Sequence, residues 1–152
     1  MSYFKYSRQK LFIENTSVLN IIKKNKTPFY LYSAKQIKEN YINFAKTFKN
    51  VNPLICFAAK ANTNLAIMRM LGKLGSGADV VSGGELLKAL KAGIKPSKIV
   101  FSGVGKTEEE LKLAIKNKIL LINVESESEA VLVNNIGKNY NKIISIGFRI
   151  NP

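Results

Sequence analysis

The sequence predicts an α/β fold built on a parallel sheet. Two observations carry this expectation. Short apolar, strand-like runs alternate with amphipathic segments along the chain. In addition, four helix starts share one capping signature, and each directly follows such a run or its short turn. The unit strand–cap–helix recurs every 20–25 residues or so, the rhythm of successive βα units.

The strand-like runs, in order, are "PFYLY" (28–32), "PLICFAA" (53–59), "ADVVS" (78–82), "KIVFSG" (98–103), "ILLINVE" (119–125) and "KIISIGFRI" (142–150). Nearly continuous apolar character suits strands buried on both faces, as in a parallel sheet covered by helices. The helix starts are Ser33 with Gln36, Ser82 with Glu85, Thr107 with Glu110 and Ser126 with Glu129. In each pair the hydroxyl oxygen accepts an orphan backbone N–H, and the residue three positions on reaches back to another. In "TEEELKLAIKNK", Leu111, Ala114 and Ile115 recur at helical spacing, with Lys112 and Lys116 turned outward. Residues 1–27 carry a weaker pattern and the lysine cluster "IIKKNKTP", and read as a lead-in segment. Residues 28–152 then form one domain.

With 152 residues and 46% hydrophobic content, there is apolar material for one globular core. No run approaches the roughly 18 uncharged apolar residues of a membrane helix, and the first residues lack the pattern of a secretory signal. A cytoplasmic protein without a membrane partner is expected. The single cysteine, Cys56, forms no internal disulfide, and the absence of histidine excludes Cys/His metal sites. The formal charge of +14 would draw a protein toward nucleic acid if it were clustered. Of the 24 basic residues, however, only Arg8, Arg69 and Arg149 are arginines, and the lysines are spread along the whole chain. A solvated, lysine-rich surface is therefore expected, with no nucleic-acid partner.

Four residues stand out as candidates for chemistry. Lys60 ends the run "ICFAAK", and strand alternation groups it with Leu54, Cys56 and Ala58. The small neighbours on that face leave room beside an amine able to condense with a carbonyl. Asp79, in "GADVVSGGE", is the only aspartate in the chain. Glu85 opens the helix that follows, where it serves as a cap, and the paired glycines before it permit a close backbone approach. Arg149 lies within an apolar strand, where a guanidinium needs a carboxylate or a ligand as partner. "GVGKT" fails as a phosphate loop, because Val100 stands where the first glycine belongs and three glutamates follow.

These stretches occur in order: "FAAKAN", "GADVVSGGELLKAL", "IVFSGVGKTEEEL", "INVESESE" and "FRINP". Together they resemble the pyridoxal-phosphate-dependent ornithine/diaminopimelate/arginine decarboxylase family, which shares the alanine-racemase barrel, and within it the diaminopimelate branch. The resemblance covers about residues 27–152. It implies a (β/α)₈ barrel, here incomplete, with five to six βα units present. It implies pyridoxal 5′-phosphate as cofactor, held by Lys60 as a Schiff base. It places Asp79, Glu85 and Arg149 at positions that line or support the cofactor side of the pocket. The implied reaction releases carbon dioxide from an amino-acid substrate, giving L-lysine where that substrate is meso-diaminopimelate; an ornithine- or arginine-type substrate is the alternative. A full-length member is expected to be a homodimer. In the family pattern the ring-stacking histidine, the glycine-rich phosphate loop and the C-terminal domain lie beyond Pro152. The 152-residue chain alone is therefore expected to show little or no decarboxylase activity, or to be a non-catalytic cofactor-binding fragment.

Overall fold

A computed structural model describes residues 3–150, and the chain divides into two compact units, Met1–Asn50 and Val51–Pro152.

The first unit opens with an antiparallel sheet of β1 (Phe4–Ser7), β2 (Lys10–Ile13) and β3 (Thr16–Ser17), followed by helices α1 (Val18–Ile22) and α2 (Ala34–Thr47). The turn between β1 and β2 is Arg8–Gln9, both with positive φ (46° and 60°). That backbone matches the twist of a two-residue hairpin, even without the usual glycine or asparagine. Glu14 ties the hairpin to α2: its Oε1 accepts from the Ser33 hydroxyl at 2.7 Å and from the Lys35 N–H at 2.9 Å. Ser33 in turn caps α2 by accepting from the Gln36 N–H. The expected strand over 28–32 is not a strand. Tyr30 and Tyr32 are 90% and 54% exposed, and the segment is an extended lead into the Ser33 cap.

The second unit is a five-stranded parallel sheet with the order β4 (Cys56–Ala58), β5 (Gly77–Val80), β6 (Ile99–Phe101), β7 (Leu121–Val124), β8 (Ile146–Phe148). Helices α3 (Leu65–Lys73), α4 (Gly83–Lys91), α5 (Glu108–Lys116) and α6 (Glu127–Asn139) alternate with the strands. Spatial order follows chain order without reversal. A doubly wound sheet would switch direction, so this is the arrangement of a (β/α) barrel segment.

One face of the sheet is the core. Ala78, Val80, Ile99, Phe101, Ile122 and Val124 are buried against the helices together with Met68, Leu86, Leu111 and Val133. The opposite face carries Cys56, Ala58, Asp79, Val100, Leu121, Asn123 and Gly147, as fixed by the pairings Ala58↔Asp79, Asp79↔Val100, Val100↔Leu121 and Asn123↔Gly147. Between β4 and β6 the strands demand a glycine: a Cβ on Gly77 would lie 2.2 Å from the Lys98 carbonyl oxygen and 2.8 Å from Cys56 Sγ. All four signalled helix starts are N-caps in the structure. The start of α3 is capped by Asn64, which accepts from the Ala66 N–H.

Candidate functional site

The C-terminal ends of the five strands gather the polar residues of the second unit. Lys60 lies on a short 3₁₀ turn, Ala59–Ala61, that directly ends β4. The strand alternation used to place it stops at Ala58, where the turn begins. Ala59 is fully buried in the helix-side core, while Lys60 is exposed. The turn packs against β5 and α4.

Asp79 stands opposite Ala58 on β5. Its Oδ1 accepts from the Ser102 hydroxyl at 2.6 Å, and Ser102 Oγ accepts in turn from Asn123 Nδ2 at 3.0 Å. A polar ladder thus crosses from β5, past the end of β6, to β7. Beside it, Gly147 leaves room for the asparagine: a Cβ there would lie 2.6 Å from Asn123 Oδ1. Asp79 also acts on Cys56, whose thiol pKa is raised, first by burial and then by that carboxylate's charge.

Glu85 is a cap. Its Oε2 accepts from the Val81 N–H at 2.9 Å while its own N–H is held by Ser82 Oγ. The glycine pair before it permits a close approach, and the group that approaches is Glu110 of the next helix. Glu110 Oε1 accepts from the Gly83 N–H at 2.7 Å, and a Cβ on Gly83 would sit 3.0 Å from Glu110 Cγ. Glu110 also closes the capping box of α5 with Thr107. The Gly83 N–H foremost, and then the Thr107 N–H, hold the Glu110 carboxyl below its ordinary range.

The lysine of "GVGKT" is the residue that sequence reasoning missed. The Lys106 side chain is 1% exposed, and its three ammonium protons have three acceptors: Gly103 O at 2.8 Å, Asn123 O at 2.6 Å and Glu129 Oε1 at 2.9 Å. An ammonium so enclosed has no reach toward a phosphate, which is why the motif is no phosphate loop. Glu129 caps with its other oxygen, accepting from the Glu125 N–H at 2.7 Å. Glu125 in turn meets Arg149 at 3.2 Å; the side chains are 16% and 57% exposed. Arg149 lies just past the end of β8 and is exposed, not inside an apolar strand as expected, so its pair with Glu125 is a contact at the solvent edge rather than a demand of burial. Asn151 and Pro152, the end of "FRINP", lie outside the described residues.

The structure brings Asp79 into direct contact with the ladder and pairs Arg149 with Glu125. It sets Lys60 on the turn beside β5 and commits one Glu85 oxygen to the helix. An amine at a strand end, a fixed carboxylate on the adjoining strand and a small side chain at Ala58 fit a flat aldehyde-bearing heterocycle. Part of the helix N-termini is already committed: Glu110 accepts from the Gly83 and Thr107 N–H groups, and Glu85 and Glu129 take the N–H groups just ahead of α4 and α6.

This is the arrangement of a cofactor-binding barrel segment. Residues 34–152 match the family described as "Pyridoxal-dependent decarboxylase, pyridoxal binding domain", and the chain belongs to that family. It is 46% identical over 150 residues to the diaminopimelate decarboxylase of Aquifex aeolicus, covering 99% of this chain and 35% of the relative. It is 52% identical over 127 residues to that of Helicobacter pylori J99, covering 84% and 31%. The solved diaminopimelate decarboxylase of Methanocaldococcus jannaschii in co-complex with L-lysine superposes with a TM-score of 0.94 at 40% identity, covering 98% of this chain and 36% of that one. The chain thus spans about a third of the length of the curated relatives it matches.

Proposed function

We propose that this chain is the cofactor-anchoring part of a diaminopimelate decarboxylase, with Lys60 as the residue that carries pyridoxal 5′-phosphate. In this reading residues 28–152 are the N-terminal portion of the barrel domain, and the complete protein converts meso-diaminopimelate to L-lysine and carbon dioxide. The complete enzyme is a homodimer and works in the cytoplasm; none of the helices among the described residues is long and apolar enough to cross a membrane. The observation that carries the reading is the placement of the Lys60 amine on the turn that ends a parallel strand, packed against the strand that bears Asp79. In such barrels, chemistry belongs at that end.

When bound, pyridoxal phosphate supplies an electron sink for the pair released as the bond to the departing carboxylate breaks. The chain's own residues bind and orient. Lys60 is the nucleophile toward the cofactor aldehyde. Asp79, with one oxygen held by Ser102, presents the other to a protonated group on the cofactor or substrate. Arg149, held on one side by Glu125, offers its remaining N–H groups to an anionic ligand group. Glu85 supports the site from the first turn of α4.

The test is chemical trapping. The chain is incubated with pyridoxal phosphate, reduced with borohydride and mapped by peptide mass. The expected label falls on Lys60 and disappears in Lys60→Ala. A label spread over the surface lysines and indifferent to Lys60→Ala would sink the assignment.

The chain's span of about a third of its relatives' length favours a second reading, in which this chain alone carries the cofactor without turnover. Label on Lys60 with no carbon dioxide release supports that reading. Release from ornithine or arginine in place of diaminopimelate would move the substrate assignment within the same family.

A further inference from the structure

We propose that Ser102 and Asn123 are positioning residues that aim the Asp79 carboxylate, and that β7 rather than β5 sets its direction. The functional half of this inference rests on the reading of Asp79 as facing the cofactor.

An aspartate on a strand can turn about its side-chain torsions, and a broad terminal torsion leaves its oxygens undirected unless something holds them. Here one oxygen is held. The Ser102 hydroxyl has a single proton, and that proton is spent on Asp79 Oδ1 at 2.6 Å. What keeps the hydroxyl pointed that way is the second bond. Asn123 Nδ2 donates to a lone pair of Ser102 Oγ at 3.0 Å, which leaves the hydroxyl proton directed away from β7 and toward Asp79. The two bonds run in one direction, amide to hydroxyl to carboxylate, and each polarises the next.

Asn123 is itself held at its backbone and given room at its side chain. Its backbone carbonyl accepts from the buried Lys106 ammonium at 2.6 Å. Its side chain stands against Gly147, where a Cβ would meet Oδ1 at 2.6 Å. The direction of Asp79 is therefore set by Ser102, which touches it, and through Ser102 by Asn123 two strands away.

Asp79 is the only aspartate in the chain, which makes the experiment direct. Protein labelled with carbon-13 at the aspartate side-chain carboxyl gives a single resonance in the 152-residue chain, read without cofactor. Ser102→Ala is expected to move it. Asn123→Leu, of similar shape but without the donor, is expected to move it in the same direction. In the Ser102→Ala background, Asn123→Leu should then add nothing, because the relay is already cut. Ser102→Thr keeps the hydroxyl and should restore the original position, which a purely structural role for the site would not do. Gly147→Ala, pressing on Asn123 from the far side, provides a third perturbation should the leucine variant fail to fold.

The rate of pyridoxal phosphate attachment at Lys60 is the second readout. It should fall about tenfold in Ser102→Ala, the worth of one hydrogen bond to a charged group, and return in Ser102→Thr. A resonance unmoved by both Asn123→Leu and Gly147→Ala, or moved additively in the Ser102→Ala background, overturns the relay. A resonance that moves while attachment is unchanged overturns its bearing on the cofactor. No attachment at Lys60 in the unmutated chain would overturn the cofactor reading while leaving the resonance result to stand or fall by itself.

Discussion

The Lys106 ammonium lies 2.9 Å from the Glu129 carboxylate, with side chains 1% and 11% exposed, and this pair fastens the exit of β6 to the first turn of α6. Breaking one partner leaves the other charged and enclosed. Lys106→Met is therefore expected to cost about 3–5 kcal/mol. Adding Glu129→Gln should recover part of that loss. Urea midpoints of the two single variants and the double variant check this. Strict additivity would mean that the two side chains act independently.

Glu110 makes the stability of the second unit depend on pH. Its carboxyl is held below the ordinary 4.5 by the Gly83 and Thr107 N–H groups. A depressed acid contributes stability above its unfolded value and loses it as pH falls through its folded value. The advantage of the native chain over Glu110→Gln should thus be full at neutral pH and shrink progressively below 4.5. A gap in denaturation midpoint that widens on acidification would contradict this sign. Glu14 behaves alike in the first unit, lowered mainly by the Ser33 hydroxyl.

Two glycines should respond in opposite directions. Gly77→Ala forces a Cβ to 2.2 Å from the Lys98 carbonyl oxygen, against backbone that cannot yield. The expected loss is about 3 kcal/mol or more. Gly84, inside α4, has only Ser82 Oγ nearby, at 3.9 Å. Gly84→Ala should stabilise by about 0.5–1 kcal/mol through lower unfolded-state entropy and better helix propensity. Thermal midpoints decide both.

The Glu110 carboxylate at two helix starts leads to a ligand prediction. Pyridoxal and pyridoxal phosphate should attach to Lys60 of this chain with affinities within about threefold, since Glu110 already takes the Gly83 and Thr107 N–H groups for which a phosphate would compete. Equilibrium absorbance titration compares them. A strong preference for the phosphorylated form would place an anion site among these residues.

Arg149 separates stability from binding. Its pair with Glu125 is largely solvent-exposed on the arginine side, so Arg149→Gln should cost less than about 1 kcal/mol of stability. If it faces the ligand, cofactor attachment should drop well beyond that. Equal small effects on both would make the arginine purely a surface partner.

The helix starts were legible because their chemistry is local. Ser33, Ser82, Thr107 and Ser126 sit three residues from the N–H groups that they satisfy. Lys60 could be singled out because it ends an apolar run, and Asp79 because it is the chain's only aspartate. Long-range partnerships were not. Lys106 reaches Glu129 and Glu110 reaches Gly83 across 23 and 27 residues, and nothing in either stretch names the other. "GVGKT" invited comparison with a phosphate loop, while its lysine was turned inward to carbonyls. "PFYLY" misled in the opposite way, because apolar tyrosines can line an extended connection whose rings stay in water. The N-terminal hairpin went unseen because Arg8 and Gln9 take left-handed backbone without a turn signature.

In the order β4 through β8 every parallel strand lies next to its predecessor in the chain. A polypeptide emerging from the ribosome can thus seat each arriving strand on one already laid down, with only the intervening helix as loop to close. Assembly of this kind proceeds like courses of brick, and it spares the long searches that slow sheets whose neighbours are distant in sequence.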